Sequence, residues 1–360
     1  MKRQGGKGTE ITSEYFQGMN PGRKTKAISI VCTGIFITLM LILPLMYPAH
    51  ASEGGASSFT PGAQGDFGMC YYPQGLYFRD NIVYTDGSLN KYPVQPGVNA
   101  KLESRVWFDL LQVLYSSNLN ILGGRYFANI NIPVGIDVDL IAKARIPQED
   151  GSIATLRSEE GVTGLGDIQV VPLGIIWDVN DLHLLLAQNF VLTTGRFDPG
   201  KLNNMGRNYF SYDEVFGFTW LDQMGGHEVS FMAGYMINTK NQATEYTTGD
   251  EFHVDYTLAQ YLSKQLGFGI VGYYYKQMTD DKSKNLDAIN AFDKTDQAKF
   301  LGLSAPGGYK SKGASVGPAV LFTPNIGGKD VNLIVKWLHE FSMTNRLEGE
   351  WVWISAVVKF

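Results

Sequence analysis

Residues 251–262, EFHVDYTLAQYL, decide how the chain is to be read. Phe252, Val254, Tyr256 and Leu258 fall on one face of a period-two repeat, and Glu251, His253, Asp255, Thr257 and Ala259 fall on the other. A soluble sheet buries the first face and wets the second. A membrane barrel turns the first toward lipid and the second toward its lumen. The same sidedness recurs in HEVSFMAGYMIN (227–238), where Val229, Phe231, Ala233, Tyr235 and Ile237 oppose Glu228, Ser230 and Asn238. In KDVNLIVKWLHE (329–340), Val331, Leu333, Val335 and Trp337 oppose Asn332, Lys336 and Glu340. No charge interrupts the three apolar stripes, as a lipid-facing surface requires.

Working outward, alternating segments are expected near 76–85, 103–116, 125–144, 165–178, 181–193, 209–221, 227–239, 251–263, 265–276, 312–323, 329–339 and 345–360, about twelve strands in all. The segment 103–116 alternates less cleanly and also reads as a short helix. Pro172 lies within one strand, where a closed barrel offers no free edge, so it predicts a bulge. The connections alternate long (86–102, 145–164, 194–208, 240–250, 277–311) with short (117–124, 179–180, 222–226, 264, 324–328), the final 340–344 being the exception. Bacterial outer-membrane barrels combine tight periplasmic turns with longer outer loops, and an even strand number puts both ends of the barrel on the periplasmic side. The alternative, a secreted β-sandwich, does not require that asymmetry. The expected fold is all-β, a transmembrane antiparallel up-and-down barrel occupying residues 76–360.

The front of the chain carries an export pattern. The basic residues Arg23, Lys24 and Lys26 precede the apolar run 27–46, and Ala49-His50-Ala51 supplies a small-x-small cleavage site. Residues 1–51 read as a signal peptide cleaved after Ala51, with Met19 a candidate start; an uncleaved anchor is the alternative. The remainder holds 24 basic and 33 acidic residues, which lacks the basic footprint of a nucleic-acid binder. It keeps one cysteine, Cys70, so no internal disulfide forms. Glycine, at 41 of 360, exceeds its usual share of about 7% and is spread through the strands. Residues 52–75 read as a flexible tail or as a plug entering the lumen.

Three ordered blocks resemble a known family. GVTGLGDIQVVPLGIIW (161–177), LTTGRFDPGKLNNMGRNYFSYD (192–213) and YTTGDEFHVDYTLAQYLSKQLGFGIVGYYYKQMTDD (246–281) are similar to segments of the outer-membrane barrels of the meta-pathway phenol-degradation family. Thr193 stands where that family has proline, and Phe210 where tryptophan is common. The resemblance implies passive entry of small hydrophobic or aromatic compounds through a porin-like barrel in the outer membrane. The bilayer and the outer-membrane assembly machinery would be its partners.

About twelve strands imply a narrow lumen, between the filled eight-stranded barrel and the open sixteen-stranded one. Trp351 and Trp353 face it if Val352 and Ile354 face lipid; they either line a route for aromatic solutes or fill space. Glu251, His253 and Asp255 form a lumenal charged set, either a binding or proton-sensitive site or a network that stabilises the interior with Lys336. Phe360 suits the periplasmic interface and an assembly signal. Asp280, Asp281 and Asp287 do not match a calcium-loop spacing, and a solvated loop is expected there. No nucleophile elbow or zinc-binding helix motif occurs, so neither catalysis nor a metal or cofactor is expected. A general diffusion pore and a structural or adhesive barrel remain the alternatives to selective uptake.

Overall fold

The computed structural model describes residues 57–93, 99–147, 153–201, 203–283 and 310–360. The signal expected over 1–51, the candidate start Met19 and Asp287 lie outside the described residues. The described residues form sixteen strands in chain order: β1 (Gly75–Pro93), β2 (Asn99–Ile121), β3 (Gly124–Pro147), β4 (Ile153–Leu165), β5 (Gln169–Val179), β6 (Leu182–Val191), β7 (Ser211–Asp222), β8 (His227–Asn238), β9 (Lys240–Asn241), β10 (Tyr246–Thr247), β11 (Glu251–Ser263), β12 (Leu266–Gln277), β13 (Lys312–Phe322), β14 (Asn325–Ile326), β15 (Lys329–Thr344) and β16 (Glu348–Lys359). Twelve of them form the wall, in the order β13-β12-β11-β8-β7-β6-β5-β3-β2-β1-β16-β15, and β13 pairs with β15 to close it. Every pair is antiparallel. No described helix is long and apolar enough to cross a membrane, and the wall crosses with strands.

The barrel expectation is met, with local corrections. The segment 103–116 is strand throughout, inside β2. The connection read over 145–164 is largely β4, which pairs with the outer half of β3 from Val134↔Leu165 to Pro147↔Ile153. β3 is 24 residues long, and its outer backbone groups need a ladder partner that a bare loop would not provide. The last connection is shorter than read, because β15 continues to Thr344. Pro172 sits at the expected bulge: the register of β5 against β6 slips between Val170 and Leu173. Its carbonyl accepts a 2.8 Å hydrogen bond from the Tyr126 hydroxyl.

The short turns are tight for a local reason. Leu122 and Gly123 have φ of 51° and 82°, and Gly327 and Gly328 have 61° and 84°. Two successive left-handed residues give the turn whose twist matches the flanking strands. Along the wall the sidedness is inverted relative to a soluble sheet. Val229, Ile237, Leu258, Ile270, Val335 and Ile354 are exposed, whereas Glu228, Glu251, His253, Asp255, Thr257 and Lys336 are buried. That inversion decides against the sandwich, since water does not tolerate such an apolar belt and lipid requires it.

Candidate functional site

The lumen is occupied by residues 57–74. Phe59 and Met69 are buried and anchor two apolar clusters inside the barrel, one with Val83, Tyr273, Tyr275, Leu338 and Trp353, the other with Leu114, Phe127, Ile176 and Leu185. Between these anchors the segment's polar backbone must find partners, because it is removed from water. The wall supplies them. Gly62 N donates to Asp255 Oδ1 at 3.1 Å, and the carbonyls of Gly62 and Gly65 accept from Lys336 Nζ at 2.5 and 2.6 Å. Gly68 N donates to Glu228 Oε1 at 2.8 Å, and Cys70 N to Thr219 Oγ1 at 3.1 Å. Ser57 Oγ donates to Glu251 Oε2 at 2.5 Å. Asp66 forms a buried ion pair with Arg79 of β1. Gly62 has φ of 78°, and a Cβ there would lie 2.6 Å from Leu338 Cδ1, so the turn needs glycine on both counts.

The six lumenal residues singled out from the sequence all meet this segment or its immediate supports. Glu251, Asp255 and Lys336 hold its backbone and hydroxyl groups as above. His253 Nε2 lies 3.1 Å from Asp213 Oδ1, and its ring stacks on Phe59 at 4.4 Å. Trp353 is fully buried, with the Lys336 ammonium 4.7 Å from its ring centroid and Phe108 edge-on at 6.1 Å. Trp351 is only partly buried; its indole N–H donates to Glu340 Oε1 at 2.8 Å. Phe360 lies apart from this group: it is 61% exposed, with the Lys329 ammonium 3.9 Å from its ring centroid.

Several partners escaped the sequence reading. Asp213 and Gly234 flank His253 because β7, β8 and β11 are neighbours in register, with Asp213 opposite Met236 and His253 opposite Gly234. Phe59 and Asp66 lie in a Gly/Ser-rich stretch whose composition resembles a linker. Arg346, in the turn between β15 and β16, is buried against Tyr275, 4.1 Å from its ring centroid. The only early signal for these is the spacing of Phe59, Phe67 and Met69 within otherwise small residues.

Two cavities lie on either side of the segment. The outer one, about 490 Å³, is walled by Leu102, Val106, Phe108 and Trp351, with Arg346 and Glu340 at its edge. The other, about 90 Å³, is bordered by Arg79, Asn81, Gln112, Asn129 and Asn131. Ser58, Phe59, Thr60 and Gln169 border both. Among the described residues no cluster of His, Cys, Asp or Glu is arranged to hold a metal ion. In the loop beyond β12, Asp281 Oδ1 accepts from Gly249 N at 2.7 Å and Gln277 Nε2 at 2.6 Å, while Tyr246 donates to Oδ2. Burial pushes this carboxyl up to about 8 against the pull of those donors. Asp280 pairs with Lys310 at 2.8 Å.

The family model described as "Putative MetA-pathway of phenol degradation" matches residues 90–356. The chain belongs to this family. Among solved structures, the COG4313 outer membrane channel from Pseudomonas putida F1 superposes with a TM-score of 0.59 at 11% identity, covering 84% of this chain and all of that one. At that identity the likeness is one of fold. The translocator domain of the autotransporter NalP from Neisseria meningitidis gives a TM-score of 0.34 at 10% identity, covering 81% of this chain and 90% of that one. A FadL homologue from Pseudomonas aeruginosa gives 0.29 at 12%, covering 79% and 87%. No curated protein matches the sequence. Closed wall, inverted sidedness and family together identify an outer-membrane β-barrel.

Proposed function

We propose that this barrel is a channel for passive entry of small hydrophobic or aromatic compounds, narrowed by residues 57–74 acting as a plug. The observation that carries the reading is the pair of cavities meeting at Ser58–Phe59–Thr60. The outer one, about 490 Å³, is the size of a small-molecule site and presents aromatic faces from Phe59, Phe108 and Trp351. The one beyond is small and lined by amides. A solute moving between them crosses the shelf that Phe59 forms on His253. Trp351 borders the outer cavity and so supports the aromatic-route reading. Trp353, packed behind Lys336, serves the shelf's support.

The charged set reads as the plug's seat, since Glu251, Asp255 and Lys336 each spend hydrogen bonds on it. The test is single-channel current from the folded protein in a planar bilayer, with and without phenol-like solutes. Current interrupted by an aromatic solute supports selective passage. A steady current indifferent to such solutes means a general pore. No current from protein shown to be folded means a barrel without transport.

A further inference from the structure

The outer cavity is bordered by a side chain that keeps one hydrogen-bonding nitrogen without a partner among the described residues. Arg346 is 8% exposed, packs against Tyr275 and borders the cavity, yet among the described residues its Nη1 has no hydrogen-bond partner. Buried donors are normally satisfied, and an orphaned guanidinium nitrogen is costly.

Two of the four carboxylates around the same cavity, Glu340 and Asp167, are by contrast committed. Glu340 accepts from the Tyr273 hydroxyl, from Trp351 Nε1 at 2.8 Å and from Gly349 N at 3.0 Å. Asp167 accepts from Gly195 N at 2.9 Å and from Arg207 N at 2.6 Å. Glu340 offsets part of the local charge, and Arg346 keeps one guanidinium nitrogen without an acceptor at the cavity wall. The Glu340 contact also fixes the Trp351 indole in place beside it.

We propose that Arg346 and Trp351 form a binding site for aromatic monocarboxylates in the outer cavity. The carboxylate would accept from Arg346, and the ring would lie among Trp351, Phe108 and the aliphatic wall of Leu102 and Val106. A carboxylate fits better than a neutral hydroxyl, because a charge-assisted bond to guanidinium is roughly twice as strong as a neutral one. A multiply charged anion fits worse, because Asp86, Asp139, Asp167 and Glu340 also line the cavity and outnumber the cations Lys201, Arg207 and Arg346. This proposal rests on the channel reading and names the solute class of the same route.

The experiment is block of single-channel current by benzoate, benzyl alcohol and acetate, added to the outer side of the full-length folded protein. Benzoate is expected to half-block at a concentration at least about ten-fold below either of the others. Arg346→Gln is expected to bring benzoate and benzyl alcohol to the same value, and Arg346→Lys to restore part of the difference. Equal block by benzoate and benzyl alcohol in the parent protein overturns the proposal and leaves the aromatic channel standing. Equal block by benzoate and acetate overturns it as well, because the ring would then count for nothing. No response to either aromatic solute overturns both readings. If Arg346→Gln does not fold, the parent comparison alone decides.

Discussion

Replacing Asp66 by alanine removes the acidic half of the ion pair that ties the middle of the plug to β1. Both partners are buried, Asp66 at 4% and Arg79 at 8% exposure. Breaking a buried pair from one side costs about 3–5 kcal/mol, because the surviving charge is left uncompensated. Arg79 keeps two contacts, Nε to Asn81 Oδ1 at 2.6 Å and Nη2 to Ser355 Oγ at 3.3 Å. The lower end therefore applies, about 3 kcal/mol, which shifts the balance between seated and unseated plug by about a hundred-fold. The assay is labelling of a cysteine placed at Ala63, in a Cys70→Ser background, by a membrane-impermeant maleimide, followed alongside the open time of single channels. Asp66→Ala should speed labelling by about two orders of magnitude and lengthen openings. Adding Arg79→Ala should reverse part of that gain, since the orphaned charge is then gone. Labelling and gating that stay at parental values in Asp66→Ala would refute the view that this pair holds the plug.

Trp353→Ala empties the space between Lys336 and Phe108 and should lower stability by about 3–5 kcal/mol, read from the temperature at which the folded band is lost on a gel. Gly234→Ala puts a Cβ 2.3 Å from His253 Nε2 and 2.6 Å from Asp213 Oδ1. The resulting overpacking should cost about 1–3 kcal/mol in the same assay, and an unchanged transition would show that His253 can move aside. Asp281 carries a folded pKa of about 8 against an unfolded value of 3.8. The folded state thus binds the extra proton, so its contribution is fully present below pH 3.8 and is lost as pH rises toward 8. Hydrogen-exchange protection of the Gly249 amide, corrected for intrinsic rate, should fall across that window and become flat in Asp281→Asn.

The wall was legible because each strand states its own sidedness. In β8 the alternation of Val229, Phe231 and Ala233 with Glu228 and Ser230 needs no knowledge of any other strand. Pro172 announced its bulge for the same reason, since a missing donor is a property of one residue. The contacts of the site are different. His253 meets Asp213 only because β8 lies between β11 and β7 in a particular register, and register is set across strands. The plug was ambiguous because Ser, Gly and Ala carry little pattern, and its few apolar residues acquire meaning only once the wall surrounds them. β4 was missed because its role is to satisfy the outer backbone of β3, a requirement that appears only when the length of β3 is known.

The seat of the plug also implies a chronology. Lys336 holds the carbonyls of Gly62 and Gly65 from 274 and 271 positions away, and Glu251 takes Ser57 from 194. Closing spans of that length costs entropy that only an assembled set of partners repays. The clamp on Gly62 and Gly65 therefore comes into being with β15, among the last strands to be synthesised. The same strand joins β13 to β16 in the wall. Obstruction and closure are thus completed by the same strand, and a chain lacking β15 would have neither the clamp nor a closed wall.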